Sequence, residues 1–298
     1  YKIMSRRDGN KLKTSDFLNM PDGRFEAGTT VYDKRGISDT VPRWICENCI
    51  QCNQCSFVCP HGVIRPFLLS QEEYEKAPEI VKKKCIKPIE KNLDEYYYAI
   101  GISIKNCTGC GLCLKTCPGK KGNKALIRVL IDEELQAKEQ EIADYLFENI
   151  TEKKEVNINT VKGSQFKKPK FFFHGACAGC GETAYIKLLT QLFGDNLVIA
   201  NATGCSSIYG ASAPDMPYTI PWASSLFEDN AEYGYGIYLG NKTIRDNLRR
   251  LFEENIENEN KELIIKWLEN SEDYEITNEV YEKLDYSKLP QEIVDLKE

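Results

Sequence analysis

The sequence predicts an α+β domain followed by part of an α/β domain. Two cysteine runs of one pattern, C-x2-C-x2-C-x3-C-P, indicate the first domain and span residues 49–60 and 107–118. The stretch "NLVIANATGCSSIYGA" indicates the second, because a short apolar strand leads through a small-residue turn into a helix. Between them, the polar segment "EKKEVNINTVKGSQFKKPK" reads as a linker and as the domain boundary.

Composition narrows the class of protein. The chain of 298 residues carries 13 cysteines and a formal net charge of −6. This charge argues against a nucleic-acid partner, and the absence of an apolar leader or a long apolar run argues against secretion and a membrane partner. We therefore expect a cytoplasmic protein, with an organelle of a eukaryote as the alternative. Crowded thiols in such a protein are metal ligands more often than disulfides.

The spacing within the two runs favours 4Fe–4S clusters over zinc. Structural zinc sites use two C-x2–4-C pairs, whereas each run has three cysteines at two-residue gaps and a fourth after three residues. In two-cluster ferredoxins the fourth cysteine of such a run ligates the other cluster. We therefore expect a ferredoxin-like domain with crossed ligation. One cluster is assigned to Cys49, Cys52, Cys55 and Cys117, and the other to Cys107, Cys110, Cys113 and Cys59.

Two further thiols and both histidines have no clear chemical role in the sequence. Cys46 has a ligand-like gap to Cys49, but the register that includes it lacks the three-residue gap and the proline, so we interpret it as a spare thiol near the cluster. Cys85 stands alone and is interpreted as a small, partly buried hydrophobe. His61 and His174 each lie close to a cysteine motif, where a hydrogen bond could tune a cluster, but a structural role is favoured.

A third cysteine constellation lies beyond the linker. Cys177 and Cys180 are spaced C-x2-C where a helix opens, and Cys205 follows the apolar strand, at the end where α/β folds bind ligands. A third metal site, a redox C-x-x-C pair and ordinary buried thiols all remain open. The start of the helix after the strand is also a possible anion site, which alone is a weak signal.

Periodicity predicts the remaining elements. Ser70, with Glu73 three residues on, predicts a capped helix start, and an amphipathic helix is expected from Asp132. The apolar strand is expected to be buried on both faces. The region after residue 224 is expected to be largely helical. The helix before the strand has an apolar face at Leu188, Leu189, Leu192 and Phe193, and the last region has one at Leu248, Leu251 and Phe252.

Longer stretches resemble the pyruvate:ferredoxin (flavodoxin) oxidoreductase family. The matching segments include "VPRWICENCIQCNQCSFVCPHGVIRP", "GCGLCLKTCPGKKGNKAL", "GACAGCGETAYIKLLTQLFGD", "ATGCSSIYGASAPDMPY" and "PWASSLFEDNAEYGYG". The resemblance covers nearly all of residues 24–240. It implies the end of a linker domain at 1–43, a two-cluster 4Fe–4S ferredoxin-like domain at 44–130, a helix and linker at 131–164, and the N-terminal part of a thiamine-diphosphate-binding domain at 165–298.

This resemblance also implies an activity. Family members oxidatively decarboxylate pyruvate with coenzyme A to acetyl-CoA and carbon dioxide, and electrons pass through three 4Fe–4S clusters to ferredoxin or flavodoxin. Thiamine diphosphate and Mg²⁺ are the other implied cofactors, and a homodimer is the implied assembly. Cys177, Cys180 and Cys205 match ligands of the third cluster, while Glu182 and Cys205 match residues beside the thiamine. No catalytic residue is assigned.

The chain departs from the family pattern in two ways. It has no "GDG" followed by the asparagine-bearing magnesium motif, and no cysteine after Cys205 to complete the third cluster. We therefore expect a partial chain that is inactive in pyruvate decarboxylation by itself. Two alternatives remain: an electron-transfer module of the ferredoxin type, and an oxidoreductase for another 2-oxoacid, such as indolepyruvate or 2-oxoglutarate.

Overall fold

The computed structural model describes residues 2–21, 26–210 and 214–296. The chain forms two compact units, which divide between Leu226 and Phe227. The six strands of the described residues are β1 (Thr40–Trp44), β2 (Ile64–Leu69), β3 (Tyr97–Ile102), β4 (Leu126–Leu130), β5 (Ile199–Ala202) and β6 (Trp222–Ser225). The α-helices are α1 (Lys2–Ser5), α2 (Gln54–Phe57), α3 (Gln71–Lys76), α4 (Glu79–Lys82), α5 (Leu112–Thr116), α6 (Glu133–Asn149), α7 (Val161–Ser164), α8 (Thr183–Phe193), α9 (Cys205–Gly210), α10 (Phe227–Glu254), α11 (Lys261–Glu269), α12 (Tyr274–Lys283) and α13 (Gln291–Asp295).

The cysteine-bearing part of the first unit is built from two similar halves. In each half a strand leads into a cysteine run, the run contains a short helix, and a second strand follows. β1 pairs antiparallel with β4, and β2 pairs antiparallel with β3. The first strand of the first half thus pairs with the last strand of the second half, and the two inner strands pair with each other. These pairings hold the two cysteine runs in one body of mixed α/β architecture.

The core of this body contains thiols as well as hydrocarbon side chains. β2 is buried at all six positions, which leaves it no solvent face. Trp44, Ile64 and Ile100 belong to one buried cluster of side chains, which also contains five of the cysteines of the two runs: Cys55, Cys59, Cys107, Cys113 and Cys117. Apolar burial therefore places the thiols where no water competes for them.

Two helix starts of the insert and linker confirm the sequence predictions. At α3 the Ser70 hydroxyl accepts a hydrogen bond from the Glu73 N–H at 3.2 Å, and the Glu73 carboxylate accepts one from the Ser70 N–H at 2.8 Å, which completes a capping box. At α6 the Asp132 carboxylate accepts from the Leu135 N–H at 2.7 Å. The amphipathic helix α6 then buries Ile142, Ala143 and Leu146, among others.

The strand expected to be buried on both faces is only half-buried. All four residues of β5 are intermediate in exposure. Its paired neighbour within the described residues is β6, and the two strands run parallel. A strand at the edge of a two-stranded sheet lacks the second neighbour and the covering layers that bury a central α/β strand, so this prediction was wrong in degree although the strand and the following helix α9 are present.

Helix α8 buries a different face from the one the sequence suggested. Its buried residues are polar: Thr183, Lys187, Thr190 and Gln191. The predicted apolar face is largely exposed, with Leu189 at 46%, Leu192 at 39% and Phe193 at 54% exposure. The apolar face exists, but it does not pack into the core of this unit, because the neighbours of α8 offer hydrogen-bond partners to its polar side.

The second unit is helical, as predicted. Helices α10 to α13 surround a core that includes Leu251, Phe252, Ile264, Trp267 and Val280. Leu248 is partly buried against the same core, so the predicted apolar face is confirmed here. Within the described residues, no helix has both the length and the apolar character needed to cross a bilayer.

The division after Leu226 coincides with none of the domain boundaries inferred from the sequence. Helix α7 packs against both α2 and α8, which joins the segment after residue 160 to the cysteine-bearing body. The inferred boundaries concern domains of a family rather than compactness, and they stay predictions.

Glu73 links the insert helix α3 to the segment after α6. Its carboxylate accepts hydrogen bonds from the Thr151 N–H at 3.0 Å and from the Lys153 ammonium at 2.6 Å, in addition to the capping bond. The Lys153 and Glu73 side chains are only 10% and 17% exposed. Although burial opposes it, the hydrogen bonds from Lys153, Thr151 and Ser70 lower the pKa of Glu73 to about 2.

We predict that Glu73→Ala lowers the free energy of unfolding by about 2 kcal/mol at pH 7, because it removes a cap and a partly buried, charge-assisted hydrogen bond. Glu75→Ala is the matched control, since Glu75 is on the exposed side of the same helix. The pKa of Glu73 is lowered from that of an ordinary glutamate to about 2. The contribution of Glu73 to stability is therefore complete above about pH 5 and is lost as the pH falls toward 2. Urea unfolding of wild type and both variants at several pH values tests this; a difference that does not narrow in acid contradicts it.

Candidate metal centres

Two cavities in the first unit are each lined by four cysteines. The Cys49 cavity has Cys49, Cys52, Cys55 and Cys117 in its wall. The Cys107 cavity has Cys59, Cys107, Cys110 and Cys113. They measure about 320 Å³ and 430 Å³ with the solvent at their mouths included. The eight thiols are thus brought together in the crossed grouping expected from the sequence; that they ligate clusters remains a prediction.

The crossing follows from the position of a short helix in each run. The third cysteine of each run is in the helix, Cys55 in α2 and Cys113 in α5. The fourth follows within two residues of the helix end, at Cys59 and Cys117. α2 and α5 pack against each other. Because the two helices are neighbours, the chain leaving each one carries its fourth cysteine, Cys59 or Cys117, to the cavity of the other half.

Equivalent loop turns place an N–H beside the first thiol of each run. The Gln51 N–H donates to Cys49 Sγ, and the Gly109 N–H donates to Cys107 Sγ, both at 3.4 Å. Gln51 and Gly109 have φ of 56° and 67°, the left-handed region. Each N–H favours a charged sulfur, so the backbone of both loops is arranged for thiolates.

Two non-glycine residues accept this left-handed backbone because distant partners hold their amides. The Gln51 side chain donates to the Lys87 carbonyl and accepts from the Ile89 N–H, both at 2.8 Å. Asn53, with φ of 57°, accepts from the Tyr98 hydroxyl at 2.7 Å. In the second run glycines occupy the equivalent positions. Buried amide hydrogen bonds therefore replace glycine in the first run.

Burial makes these thiols poor anions unless a cation is bound. It raises the pKa of Cys107 to about 12 and raises the pKa of Cys55 and Cys113 well above that of a free thiol. It also raises the pKa of Cys49. A buried thiol loses its proton readily only when positive charge compensates the thiolate, as a bound metal does. The cavities therefore hold sulfur donors that require a cationic ligand to ionise.

An unpartnered donor points to the same chemistry in the Cys49 cavity. Trp44 is in the wall of this cavity, and its buried indole N–H is one of the side-chain polar atoms without a hydrogen-bond partner in the described chain. The indole is close enough to Cys49 to lower the pKa of that thiol against the rise caused by burial, although the geometry falls short of a hydrogen bond. A buried donor is costly without an acceptor, and a sulfur-rich anionic group in the cavity would accept from it. The residues of this cavity fit an iron–sulfur cluster.

The third cysteine set is more open. Cys177 and Cys205 are exposed and Cys180 is half-buried. Cys177 and Cys180 lie in the loop before α8, three or more residues short of the helix, and Cys205 is the first residue of α9. The Tyr209 hydroxyl on α9 donates to the Glu182 carboxylate at 3.1 Å, which ties the end of this loop to α9. Glu182 and the cysteines thus lie on connected elements.

A stacked histidine pair joins this loop to the first cysteine run. The rings of His61 and His174 stack with centroids 4.3 Å apart. His61 Nε2–H donates to the Ala176 carbonyl at 3.0 Å, while His174 Nε2–H donates to the Pro60 carbonyl at 2.7 Å. The Ala176 N–H donates to His174 Nδ1 at 3.2 Å, which defines a neutral tautomer. Burial lowers the pKa of His174 to about 3, consistent with that tautomer.

Because of these bonds, two cysteine segments are interlocked. Pro60 follows Cys59, and Ala176 precedes Cys177. On the other side of the loop, a Cβ placed on Gly179 would be 3.4 Å from Cys110 Cβ, so the loop also touches the second run. Both histidines have the structural role that was favoured from the sequence.

The two remaining thiols lie outside both cavities. Cys46 begins a short 3₁₀ helix, Cys46–Asn48, and is half-buried without being among the residues that line the Cys49 cavity. Cys85 is half-buried, and its thiol donates to the Val81 carbonyl at 3.4 Å. Burial raises its pKa to about 12. Neither thiol belongs to a four-cysteine set.

Sequence reasoning missed three features of the site. The unpartnered Trp44 N–H has no signal in the sequence. Gln51 and Asn53 could have been found by aligning the two runs, since glycines occupy the equivalent positions of the second. Lys187 is buried close to the first run, and its signal was the polar face of α8, with Thr183, Lys187, Thr190 and Gln191 at helical spacing.

Comparison with known families agrees with the cysteine geometry. Residues 48–121 match the model of a 4Fe–4S dicluster domain, which contains all eight cysteines of the two cavities. Residues 1–38 match a domain of unknown function.

Curated proteins are similar over most of this chain. It is 43% identical over 292 residues to a pyruvate-flavodoxin oxidoreductase of Klebsiella pneumoniae, covering 94% of this chain and 24% of that protein. It is 44% identical over 296 residues to one of Enterobacter agglomerans, covering 94% and 25%. It is 51% identical over 249 residues to a pyruvate:ferredoxin oxidoreductase of Moorella thermoacetica, covering 80% and 20%. The chain thus spans a quarter or less of the length of these relatives, and over most of its own length it is a homologue of a segment of the pyruvate:ferredoxin and pyruvate-flavodoxin oxidoreductases.

Proposed function

We propose that the chain carries the electron-transfer centres of a pyruvate:ferredoxin or pyruvate:flavodoxin oxidoreductase, together with part of its thiamine-diphosphate-binding domain. The overall reaction converts pyruvate and coenzyme A to acetyl-CoA and carbon dioxide, with electrons delivered to ferredoxin or flavodoxin. The observation that carries the proposal is the pair of four-cysteine cavities in crossed grouping. The names of the homologues favour pyruvate over another 2-oxoacid.

Each cavity is proposed to hold one 4Fe–4S cluster. Within the described residues, no three His, Cys, Asp or Glu side chains converge closely enough to share one metal ion, which disfavours a single zinc in either cavity. Four sulfurs spread around a hollow suit a cube of atoms instead. When bound, such a cluster accepts and releases one electron at a time. Cys49, Cys52, Cys55 and Cys117 would hold one, and Cys59, Cys107, Cys110 and Cys113 the other.

Cys177, Cys180 and Cys205 are proposed as three ligands of a third 4Fe–4S cluster, and Glu182 and Cys205 as contacts of thiamine diphosphate. Mg²⁺ is proposed as a cofactor of the whole enzyme. Thiamine diphosphate supplies the electron sink of the decarboxylation. The interlock of His61 and His174, and the contact of Gly179 with Cys110, keep this loop next to the Cys107 cavity. These contacts support a third centre next to the Cys107 cavity, which is the kind of arrangement that electron transfer requires. A homodimer and a cytoplasmic location complete the proposal.

The natural protein, purified without oxygen, is expected to reduce ferredoxin or flavodoxin when pyruvate and coenzyme A are both present. Omission of coenzyme A is expected to abolish steady reduction, since the acetyl group then has no acceptor. Replacement of pyruvate by 2-oxoglutarate or indolepyruvate is expected to give far slower reduction. Faster reduction with either replacement would contradict the assigned substrate, and no reduction with any 2-oxoacid would favour a pure electron-transfer module.

We predict that the chain, reconstituted with iron and sulfide under anaerobic conditions, contains two 4Fe–4S clusters. Iron analysis should give roughly eight irons per chain, and roughly twelve if the third set also assembles a stable cluster. Electron paramagnetic resonance of the dithionite-reduced protein should show two interacting centres. Tight binding of zinc in place of iron after the same treatment would refute the assignment.

Crossed ligation predicts which signal each alanine variant removes. Cys52→Ala and Cys110→Ala first identify the two signals, because each removes a loop ligand of one cavity. Cys117→Ala should then reproduce the loss seen with Cys52→Ala, since Cys117 is in the wall of the Cys49 cavity. If Cys117→Ala instead reproduces the Cys110→Ala spectrum, ligation is local to each run. Cys46→Ala is the control and should leave both signals intact.

A further inference from the structure

Helix α8 carries a lysine that is almost completely buried against the first cysteine run. Lys187 is 1% exposed. Its ammonium donates hydrogen bonds to the carbonyls of Ser56 and Phe57, the latter at 3.3 Å, and to the Gln165 side-chain oxygen at 3.4 Å. All three acceptors are neutral. No carboxylate in the described residues forms an ion pair with this ammonium.

Burial of a cation without a counter-charge costs free energy, and a neighbouring cation increases this cost for Lys187. Burial lowers the pKa of Lys187 to about 8, and the nearby Arg65 guanidinium, which is also buried, contributes in the same direction. Only the sulfurs of Cys59 and Cys55 act in the opposite direction. Hydrogen bonds to carbonyls satisfy the three donors of the ammonium but do not neutralise its charge. An apolar side chain of similar length would fill the same space without this cost.

The ammonium lies between ligands of different proposed clusters. Ser56 and Phe57, whose carbonyls it contacts, separate Cys55 in the Cys49 cavity from Cys59 in the Cys107 cavity. Gln165 holds the third donor and also accepts from the Ser56 hydroxyl at 3.0 Å, so the ammonium is fixed in place. A 4Fe–4S cluster held by four thiolates is an anion, and one-electron reduction adds a further negative charge.

We propose that the Lys187 ammonium is the fixed counter-charge of both clusters and raises the reduction potential of each. The proposal rests on the 4Fe–4S assignment above. A cation held in a region with little water stabilises the more negative, reduced state of a nearby cluster more than the oxidised state. Net charge around a cluster is one of the factors that set its potential. Lys187 therefore acts on the reduction potentials of the clusters through its charge, although it is not a ligand.

The test is a redox titration followed by electron paramagnetic resonance on the anaerobically reconstituted chain. Lys187→Met removes the charge and keeps an unbranched side chain, and Lys187→Gln removes it but keeps polar contacts. At a fixed potential near the wild-type midpoint, the ratio of reduced to oxidised cluster is expected to fall at least tenfold in both variants. This corresponds to a shift of about 59 mV toward negative potential for a one-electron couple.

Lys115→Met is the matched control. Lys115 lies on α5 between Cys113 and Cys117. This position is equivalent to that of the carbonyls that Lys187 contacts in the first run, but the Lys115 side chain is exposed. Solvent screens such a charge, so its removal should shift the potentials much less. Lys187→Arg, which keeps the charge, should retain more of the wild-type potential than either neutral variant.

The outcomes separate this inference from the assignment beneath it. Absence of two 4Fe–4S signals in the wild-type chain would refute the assignment itself. Two intact clusters with unchanged midpoints in Lys187→Met and Lys187→Gln would overturn the counter-charge role. Loss of the clusters from both neutral variants would give Lys187 a purely structural role and would also overturn it. An equal shift in Lys115→Met would show a general charge effect and likewise contradict the specific role of the buried ammonium.

Discussion

The first unit depends on one constraint: its core is built partly from thiols that need a bound cation. Five cysteines of the two runs are less than 9% exposed and pack with Trp44, Ile64 and Ile100. A hydrocarbon core is stable by burial alone, but a core of thiols around two hollows gains full stability only when a ligand fills them. If the proposed clusters are that ligand, folding and cofactor assembly are linked, and each strand pair that surrounds the cavities contributes to both.

Crossed grouping makes this linkage cooperative. Cys59 and Cys117 each serve the cavity of the opposite half, so neither half has a complete set of thiols by itself. The backbone is interdependent in the same way, because β1 at the start of the cysteine-bearing region pairs with β4 at its end. The 47 residues between Cys59 and Cys107 contribute wall residues to both cavities, among them Ile64 at the Cys107 cavity and Ile100 at the Cys49 cavity. The cost of such a segment in loop-closure entropy grows only slowly with its length.

Much of the site was predictable because ligand spacing is a local property. The gaps within each run gave the grouping of the eight cysteines, and the capped helix starts at Ser70 and Asp132 were equally local. An alignment of the two runs could mark Gln51 and Asn53 as left-handed positions, but the distant partners that hold their side chains were not predictable. Gln51 adopts a left-handed backbone because it bonds residues 36 positions away, and Asn53 donates to a carbonyl 109 positions away. β5 is half-buried because, within the described residues, it pairs with β6 in a two-stranded sheet. The apolar sequence of β5 does not indicate how many strands its sheet contains.

Helix α8 is where reasoning from hydrophobic pattern was wrong and where the proposed function gains most. The pattern assumes that the apolar face of a helix is the buried one. Here the polar face is buried because it is needed to bond the carbonyls of α2, through Lys187, and the Lys167 carbonyl, through Gln191 at 2.9 Å. The same helix begins directly after Glu182. One rigid element thus connects the proposed thiamine contact to the cysteine-bearing body, so its start and the two cavities hold a constant separation. Electron transfer between centres depends on such a fixed separation, and a polar inner face secures it by directional hydrogen bonds that an apolar face could not make.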